Sequence, residues 1–253
     1  MRFFSEVWTV FMRALRLSLA NPIWMLISIL QPILYLTLFG PLLQQVALTP
    51  GFPEGDAWTV FVPGLLVQLG IFGASFVGFG IIAEWRLGVV DRMLVTPASR
   101  VALIGGRVLH DTLMVMVQGA ILVAAAFVMG LRAPVEVIVV GLLIVGLLGA
   151  AFSAISYGAA LSLKSENAFA PLVNMFALPI LLLSGILLPM SFAPGWLQIV
   201  SDFNPIKHIV EGLRAVFRGE IISGTTGLGV LLALVFVAIG TAFGVRVFNR
   251  QTK

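Results

Sequence analysis

The sequence predicts an all-α membrane protein with six transmembrane helices, and three observations carry that expectation. Hydrophobic residues make up 60% of the 253 positions and charged residues only 10%, where a soluble domain carries about 25% charge. Six separate stretches approach the roughly 20 apolar residues that a helix needs to cross the hydrocarbon. The basic residues gather in alternate connections between those stretches, the pattern that orients a polytopic chain. A soluble protein this apolar, with a mean hydropathy of +1.09, would need a core larger than 253 residues can enclose. The chain therefore reads as a single transmembrane domain over residues 1–253.

Residues 2–20 predict an amphipathic helix lying at the membrane interface. Arg2, Glu6, Thr9, Arg13 and Arg16 recur at spacings of four and three and share one face. Phe4, Trp8, Phe11 and Leu15 share the opposite one. The pattern lacks the short apolar core and small-residue site of a cleavable signal. Asn21-Pro22 breaks the helix before the first span.

The spans are expected at about Ile23–Leu43, Val60–Ala83, Leu109–Met129, Val135–Leu163, Ala168–Leu188 and Leu228–Phe248. With the N-terminus inside, Arg2, Arg13, Arg16, Arg86, Arg92, Arg100, Arg107, Lys164, Arg246, Arg250 and Lys253 face the cytoplasm, 11 of the 15 basic residues. Arg132, Lys207, Arg214 and Arg218 face outward, and the outer connection 44–59 has no Lys or Arg. Both termini are thus expected in the cytoplasm.

Between the second and third spans runs Glu84–Arg107, with four arginines and two carboxylates. Trp85, Leu87, Val89, Val90, Met93 and Leu94 alternate there with Glu84, Arg86, Asp91 and Arg92. This predicts a short helix parallel to the membrane, ended by Thr96-Pro97, that a cytosolic partner can grip; the plainer reading is a charged loop that only sets topology.

The fifth span carries Pro171 and Pro179 and is followed by Pro189; each removes a backbone donor and bends a membrane helix. After Pro194-Gly195, residues 204–219 predict an amphipathic helix too charged to span. Asn204 suits its N-cap and Pro205 its first turn. Lys207, Glu211, Arg214 and Arg218 are expected on its polar face at the outer interface.

Several activities are excluded. Cysteine is absent, which removes disulfides, thiolate metal sites and thiol catalysis. No G-x-x-x-x-G-K-[ST] occurs, so no phosphate-cradling loop is encoded, and H-E-x-x-H is missing. Leu182-Leu183-Ser184-Gly185 lacks the first glycine of an intramembrane serine nucleophile motif. His208 and Glu211 are two possible metal ligands without a third. His110-Asp111 could relay protons, but their place near a helix start favours an interfacial anchor. The net charge of +4 is spread over topogenic loops and predicts no nucleic-acid partner. Gln68, Gln118 and Asn174 are the main polar residues within the spans, and no midplane carboxylate of an ion-driven carrier is evident. Gly70, Gly73, Ala74 and Gly78, then Gly141, Gly146 and Gly149, then Gly240-x-x-x-Gly244 mark close helix contacts, within one bundle or between two chains.

Two stretches carry a resemblance. Glu84-Trp85-Arg86-Leu87-Gly88-Val89-Val90-Asp91-Arg92-Met93-Leu94-Val95-Thr96-Pro97, continuing through Gly106-Arg107-Val108-Leu109-His110-Asp111, is one; Asn204-Pro205-Ile206-Lys207-His208-Ile209-Val210-Glu211-Gly212-Leu213-Arg214 is the other. With six spans and no ATPase motif, the chain resembles the membrane permease of type-two ATP-binding-cassette exporters, in particular the daunorubicin/doxorubicin-resistance permease group. The resemblance implies a motorless half-transporter of a bacterial inner membrane. Residues 2–20 would be its connecting helix and 84–97 its coupling helix, with Glu84, Arg86, Asp91 and Arg92 meeting the ATPase. The region 190–219 would form an outer, re-entrant gate that uses Pro189, Asn204, Pro205, Lys207, Glu211 and Arg214. ATP and Mg would be bound by a separate ATPase subunit. A second permease copy would complete the path, for which Gln68, Phe72, Phe76, Asn174, Met175 and Phe176 are the candidates. Drugs or hydrophobic small molecules are the expected cargo. Export of a lipid or lipid-linked glycan on the same fold, and an ion-driven secondary carrier, remain alternatives.

Overall fold

The computed structural model describes residues 2–20, 23–50, 52–53, 55–94 and 99–250. Among them every regular element is helical, and six helical stretches are long and apolar enough to cross a membrane. The order is α1 (Arg2–Ala20), α2 (Ile23–Val46), α3 (Ala57–Ser75), α4 (Gly78–Arg86), α5 (Val89–Leu94), α6 (Arg100–Val128), α7 (Val135–Leu163), α8 (Glu166–Leu183), a 3-10 turn (Met190–Phe192), α9 (Gly195–Asp202), α10 (Pro205–Phe217) and α11 (Gly224–Arg250). The spans are α2, α3 with α4, α6, α7, α8 and α11.

Helix α3 is the axis of the bundle. It is buried along nearly its whole length, between α2, α6, α7 and α10. The larger core gathers Phe61, Leu65 and Leu66 of α3 with Leu122 of α6, Leu148 of α7 and Leu213 of α10. A smaller core at the other end joins Ile81, Ile82, Ile104, Tyr157, Phe169 and Phe248. Burying such side chains contributes roughly 25 cal/mol per Å² when the alternative is water. Within lipid that drive vanishes, and close packing of small residues replaces it. The Gly240–Gly244 pair shows this, because a Cβ at either position would lie 2.6 or 2.8 Å from the carbonyl oxygens of Ala151 and Ala154. This small-residue motif therefore packs α11 on α7 inside one chain.

Four boundaries differ from the sequence expectation. The second span breaks at Phe76-Val77, where Phe79 N–H and Gly80 N–H turn to i−3 carbonyls. The third begins at Arg100, since Ser99 caps it through Ala102 N–H at 3.1 Å; residues 100–107 are helix and not loop. The expected single helix over 84–97 is the end of α4 plus the separate α5, because Gly88 takes φ +68°, a conformation that side chains with a Cβ resist. Thr96-Pro97 and Asn21-Pro22 lie outside the described residues. The fifth span ends at Leu183, five residues early, where Gly185 turns at φ +67°.

The amphipathic α1 packs along α6. Its contact face is neither of the two expected: Val7 and Val10 meet Gly106, where a Cβ would come within 2.7 Å of the Val7 carbonyl oxygen. Phe4 and Trp8 remain exposed, whereas Phe11 is buried. The Glu6 carboxylate accepts the Ser99 backbone N–H at 2.9 Å, so α1 also secures the start of α6.

Candidate functional site: the 84–86 junction and the polar cavity behind it

Three consecutive residues at the end of α4 each engage a different part of the bundle. Glu84, half-buried, pairs with Arg107 of α6. The Lys164 ammonium lies 4.9 Å from the centroid of the Trp85 ring. Arg86 pairs with Glu166, the first residue of α8, at 2.9 Å. Lys164 occupies the left-handed cap of α7, with φ 51°, which turns the chain directly into α8. The end of the second span is therefore pinned to the third, fourth and fifth spans at once.

An exposed ion pair such as Arg86–Glu166 contributes about 0–1 kcal/mol. The shielded Glu84–Arg107 pair has more at stake, because removing one partner leaves a poorly hydrated charge. Of the four residues expected to meet a partner, Glu84 and Arg86 are thus engaged within this chain. Arg92 is exposed on α5, and the Asp91 side chain lies outside the described residues.

Behind the junction is a cavity of about 870 Å³, bounded by α1, α2, α3, α4, α6, α7 and α8. His110 and Asp111 line it and are buried inside the bundle, which replaces the interfacial anchor expected of them. The Tyr157 hydroxyl donates to Asp111 Oδ2 at 2.6 Å. His110 Nδ1 is 3.0 Å from Asp111 Oδ1, and His110 Nε2 is 2.9 Å from Ser18 Oγ. Gln118 Nε2 donates to Ser28 Oγ at 2.6 Å. Lys164, Glu166, Arg107 and Tyr157 escaped sequence reasoning as site residues. Arg107 carried a signal as the last arginine of the charged 84–107 stretch, and Lys164 as the sole basic residue between two long apolar stretches.

Of the expected path residues, Phe72 and Phe76 pack ring to ring at 6.3 Å, and the others lie apart from them. Phe76 lines the cavity, with Phe79 stacked 6.1 Å away. Gln68 is 2% exposed in the core, and its Oε1 has no hydrogen-bond partner. Asn174, Met175 and Phe176 lie on the exposed side of α8, Met175 at 69%.

At the other end, Asn204 caps α10 through Ile206 N–H at 3.1 Å, and its amide donates to Ser184 Oγ at 2.9 Å and to the Ile180 carbonyl. Lys207 pairs with Asp202 and lies 3.7 Å from Glu211. The Lys207 hydrogen bond and charge hold the Asp202 carboxyl below its ordinary value. Arg214 leaves the expected polar face. It is 6% exposed, and its Nε and Nη2 donate to the carbonyls of Val60 at 2.9 Å and Gly185 at 2.7 Å. The reason is geometric: α10 packs against both α3 and α11, which leaves only a narrow outer strip for charge. Burial pulls the guanidinium down to about 10, still ionised at neutral pH. Pro189 is buried beside this turn.

Comparison with known proteins decides what this bundle is. The ABC-2 type transporter profile matches residues 5–217. The chain belongs to the ABC-2 type transporter family. The permease is 28% identical over 218 residues to the putative transport permease ycf38 of Cyanophora paradoxa, covering 85% of this chain and 75% of that one. It is 26% identical over 235 residues to the daunorubicin resistance ABC transporter permease protein DrrB1 of Streptomyces coeruleorubidus, covering 91% and 81%. It is 24% identical over 224 residues to the probable doxorubicin resistance ABC transporter permease protein DrrC of Mycobacterium tuberculosis, covering 87% and 80%. The permease is a multi-pass membrane subunit of an ABC transporter. Its ATPase is a separate partner, so the permease is not itself the enzyme.

Proposed function

We infer that this permease exports drugs or other hydrophobic small molecules. Two copies would line the path, and each would be moved by one ATPase subunit that binds ATP and Mg. The observation that carries the reading is the junction at Glu84-Trp85-Arg86, which ties the α5 segment, with Arg92 exposed on it, to four spans. A push on α5 from a cytosolic ATPase reaches α6, α7 and α8 through three side-chain contacts. Residues 84–97 are the coupling segment in this reading, with Arg92 and Asp91 meeting the partner and Glu84 and Arg86 passing the movement inward. Helix α1 acts as the connecting helix at the inner interface. The segment from Pro189 through α10 is the outer gate, held by Asn204 and Arg214, with Lys207 and Glu211 facing water and the proline turn entering the membrane. The apolar, exposed side of α8, with Met175, Phe176 and Leu182, suits a second copy better than lipid alone because Asn174 lies on it.

Support for the cargo comes from the relatives, which include daunorubicin and doxorubicin resistance permeases. In this reading the chain sits in a bacterial inner membrane with both termini in the cytoplasm, and support for that orientation comes from the distribution of basic residues.

The test is reconstitution of the chain with the ATP-binding-cassette protein that co-purifies with it. Inverted vesicles should accumulate a lipophilic dye only with ATP and both proteins present. Accumulation driven by a pH gradient without ATP would place the chain among secondary carriers instead. Because the chain has no cysteine, single cysteines at Arg92 and Arg132 report sidedness, and one at Leu182 reports a second copy by crosslinking. Labelling of both sites from the same side would overturn the orientation.

A further inference from the structure

We propose that the outward side of α1 binds an anionic phospholipid, with the phosphate held between Arg13 and Arg16 and the acyl chains laid along Trp8 and Leu19. That the lipid belongs to the cytoplasmic leaflet rests on the orientation read above; the binding itself does not.

Depth in the membrane is fixed by three contacts between α1 and the start of α6. Glu6 meets Ser99, Val7 and Val10 meet Gly106, and Ser18 meets His110. The two helices therefore advance side by side in the same direction. Helix α6 has 29 residues, which is about 43 Å at 1.5 Å per residue. The hydrocarbon is only about 30 Å thick. With Val128 at one edge of it, the excess of about 13 Å leaves residues 100–108 in the headgroup layer at the other edge. Arg13 and Arg16 stand between the levels of Gly106 and His110. Their long side chains reach the lipid phosphates from there.

Both arginines are exposed, and among the described residues neither has an ion pair or hydrogen bond. Three positions apart on one helix, they are neighbours whose like charges repel. A phosphate between them removes that repulsion and accepts charge-assisted hydrogen bonds from both. Glu6, the one carboxylate of α1, is turned to the Ser99 N–H. Arg13 also borders the cavity behind the junction, but the carboxylates there are engaged elsewhere: Glu84 with Arg107, Glu166 with Arg86, and Asp111 with Tyr157 and His110.

The shape of the helix agrees. A groove of about 530 Å³ runs along α1, lined by Trp8, Thr9, Met12, Arg13, Arg16 and Leu17. Trp8 and Leu19 are exposed, and the exposed apolar surface continues onto Ile23 and Leu26 of α2. Helix α1 thus has one side docked on α6, one basic and one apolar, the combination that draws anionic lipid to an interfacial helix. A zwitterionic lipid brings an ammonium to the same two arginines and gains less.

The test is native mass spectrometry of the full chain in detergent, with dioleoylphosphatidylglycerol or dioleoylphosphatidylcholine added. Phosphatidylglycerol should bind about fivefold tighter or more, and Arg13→Gln with Arg16→Gln should cut its affinity about tenfold. Arg246→Gln with Arg250→Gln removes as much charge from the end of α11, which Arg100 ties to the start of α6; this pair should cost less than about threefold. In the cysteine-free chain, Thr9→Cys should lose reactivity to a water-soluble maleimide with phosphatidylglycerol and keep it with phosphatidylcholine. Equal affinity for the two lipids, wild-type affinity in the α1 pair, or an equal loss in the α11 pair would each overturn the proposal. Protection of the Thr9→Cys thiol by the ATPase and not by phosphatidylglycerol would do the same and assign this face to a protein. Lipid binding is read without nucleotide or flux, so its failure is distinct from failure of the exporter reading.

Discussion

The Ser156 hydroxyl of α7 donates to the Ser75 backbone carbonyl at 2.6 Å, across the break in the second span. The same oxygen accepts the Gly78 N–H at 2.9 Å. Phe79 N–H has turned to Phe76, and so one side chain of α7 replaces the two backbone partners that the interrupted helix lost. The break separates α3, which carries much of the larger core, from α4, which carries the Glu84–Arg86 junction.

Ser156→Ala should therefore destabilise the bundle by about 1–3 kcal/mol, the cost of leaving buried backbone groups unpaired, read as a lower unfolding temperature in detergent. Gly78→Ala should act at the same place by overpacking, since a Cβ would lie 2.5 Å from Phe169 Cζ and 2.9 Å from Ala160 Cβ; a cost of roughly 1–3 kcal/mol is expected. Unchanged unfolding in both variants would mean that the break is not held from α7.

The junction makes a prediction of restored function. Glu84→Arg alone should put two guanidiniums together and lower ATPase stimulation, and Arg107→Glu alone should do the same with two carboxylates. The double swap should recover most of the loss, with a coupling energy of about 1–3 kcal/mol. Additive single effects would show that Glu84 and Arg107 act independently.

Arg214 should be the most sensitive charge of the outer region. Arg214→Ala strips donors from the Val60 and Gly185 carbonyls and should cost roughly 3 kcal/mol, measured by thermal unfolding. Lysine should rescue poorly, because one ammonium cannot repeat the fork of Nε and Nη2. Asp202→Asn, by contrast, should leave stability near neutral pH almost unchanged, since Asp202 is exposed and Lys207 keeps Glu211 3.7 Å away. The sign follows from the depressed carboxyl: any stability from this pair is present above the ordinary value of 3.8 and is lost as pH falls through the lower, folded value. A large loss in Asp202→Asn near pH 7 would contradict this.

Gly106→Leu should lift α1 from α6. A cysteine introduced at Val10 should become reactive to a water-soluble maleimide in that variant and stay protected in the parent, where Val10 Cβ lies 2.6 Å from a Cβ built at Gly106. Equal protection in both would place α1 elsewhere.

Much of the architecture was legible along the chain. Apolar length gave the six spans, and Asn204-Pro205 gave the start of α10 to the residue. The 84–97 stretch was legible as patterned charge, but its division at Gly88 was not. A glycine in a helical pattern is compatible with continuation, and only neighbouring contacts decide whether it turns. The scatter of the polar path candidates has a related reason. Gln68 and Asn174 are both polar residues within spans, yet one is buried in the core and the other faces outward on α8. Polarity marks a residue as unusual in lipid without saying which neighbour answers it.

The sequence by itself determined that this chain lives in a bilayer and how many of its helices are long and apolar enough to cross it. These follow from local quantities: apolar run length and charge spacing. Only the tertiary structure decided which charges meet. Arg86 finds Glu166 across 80 residues and Ser18 finds His110 across 92, and no local periodicity encodes such distances. Where water is excluded, every ionised or hydrogen-bonding group must be answered by another part of the chain, and helix packing alone determines which part is near enough.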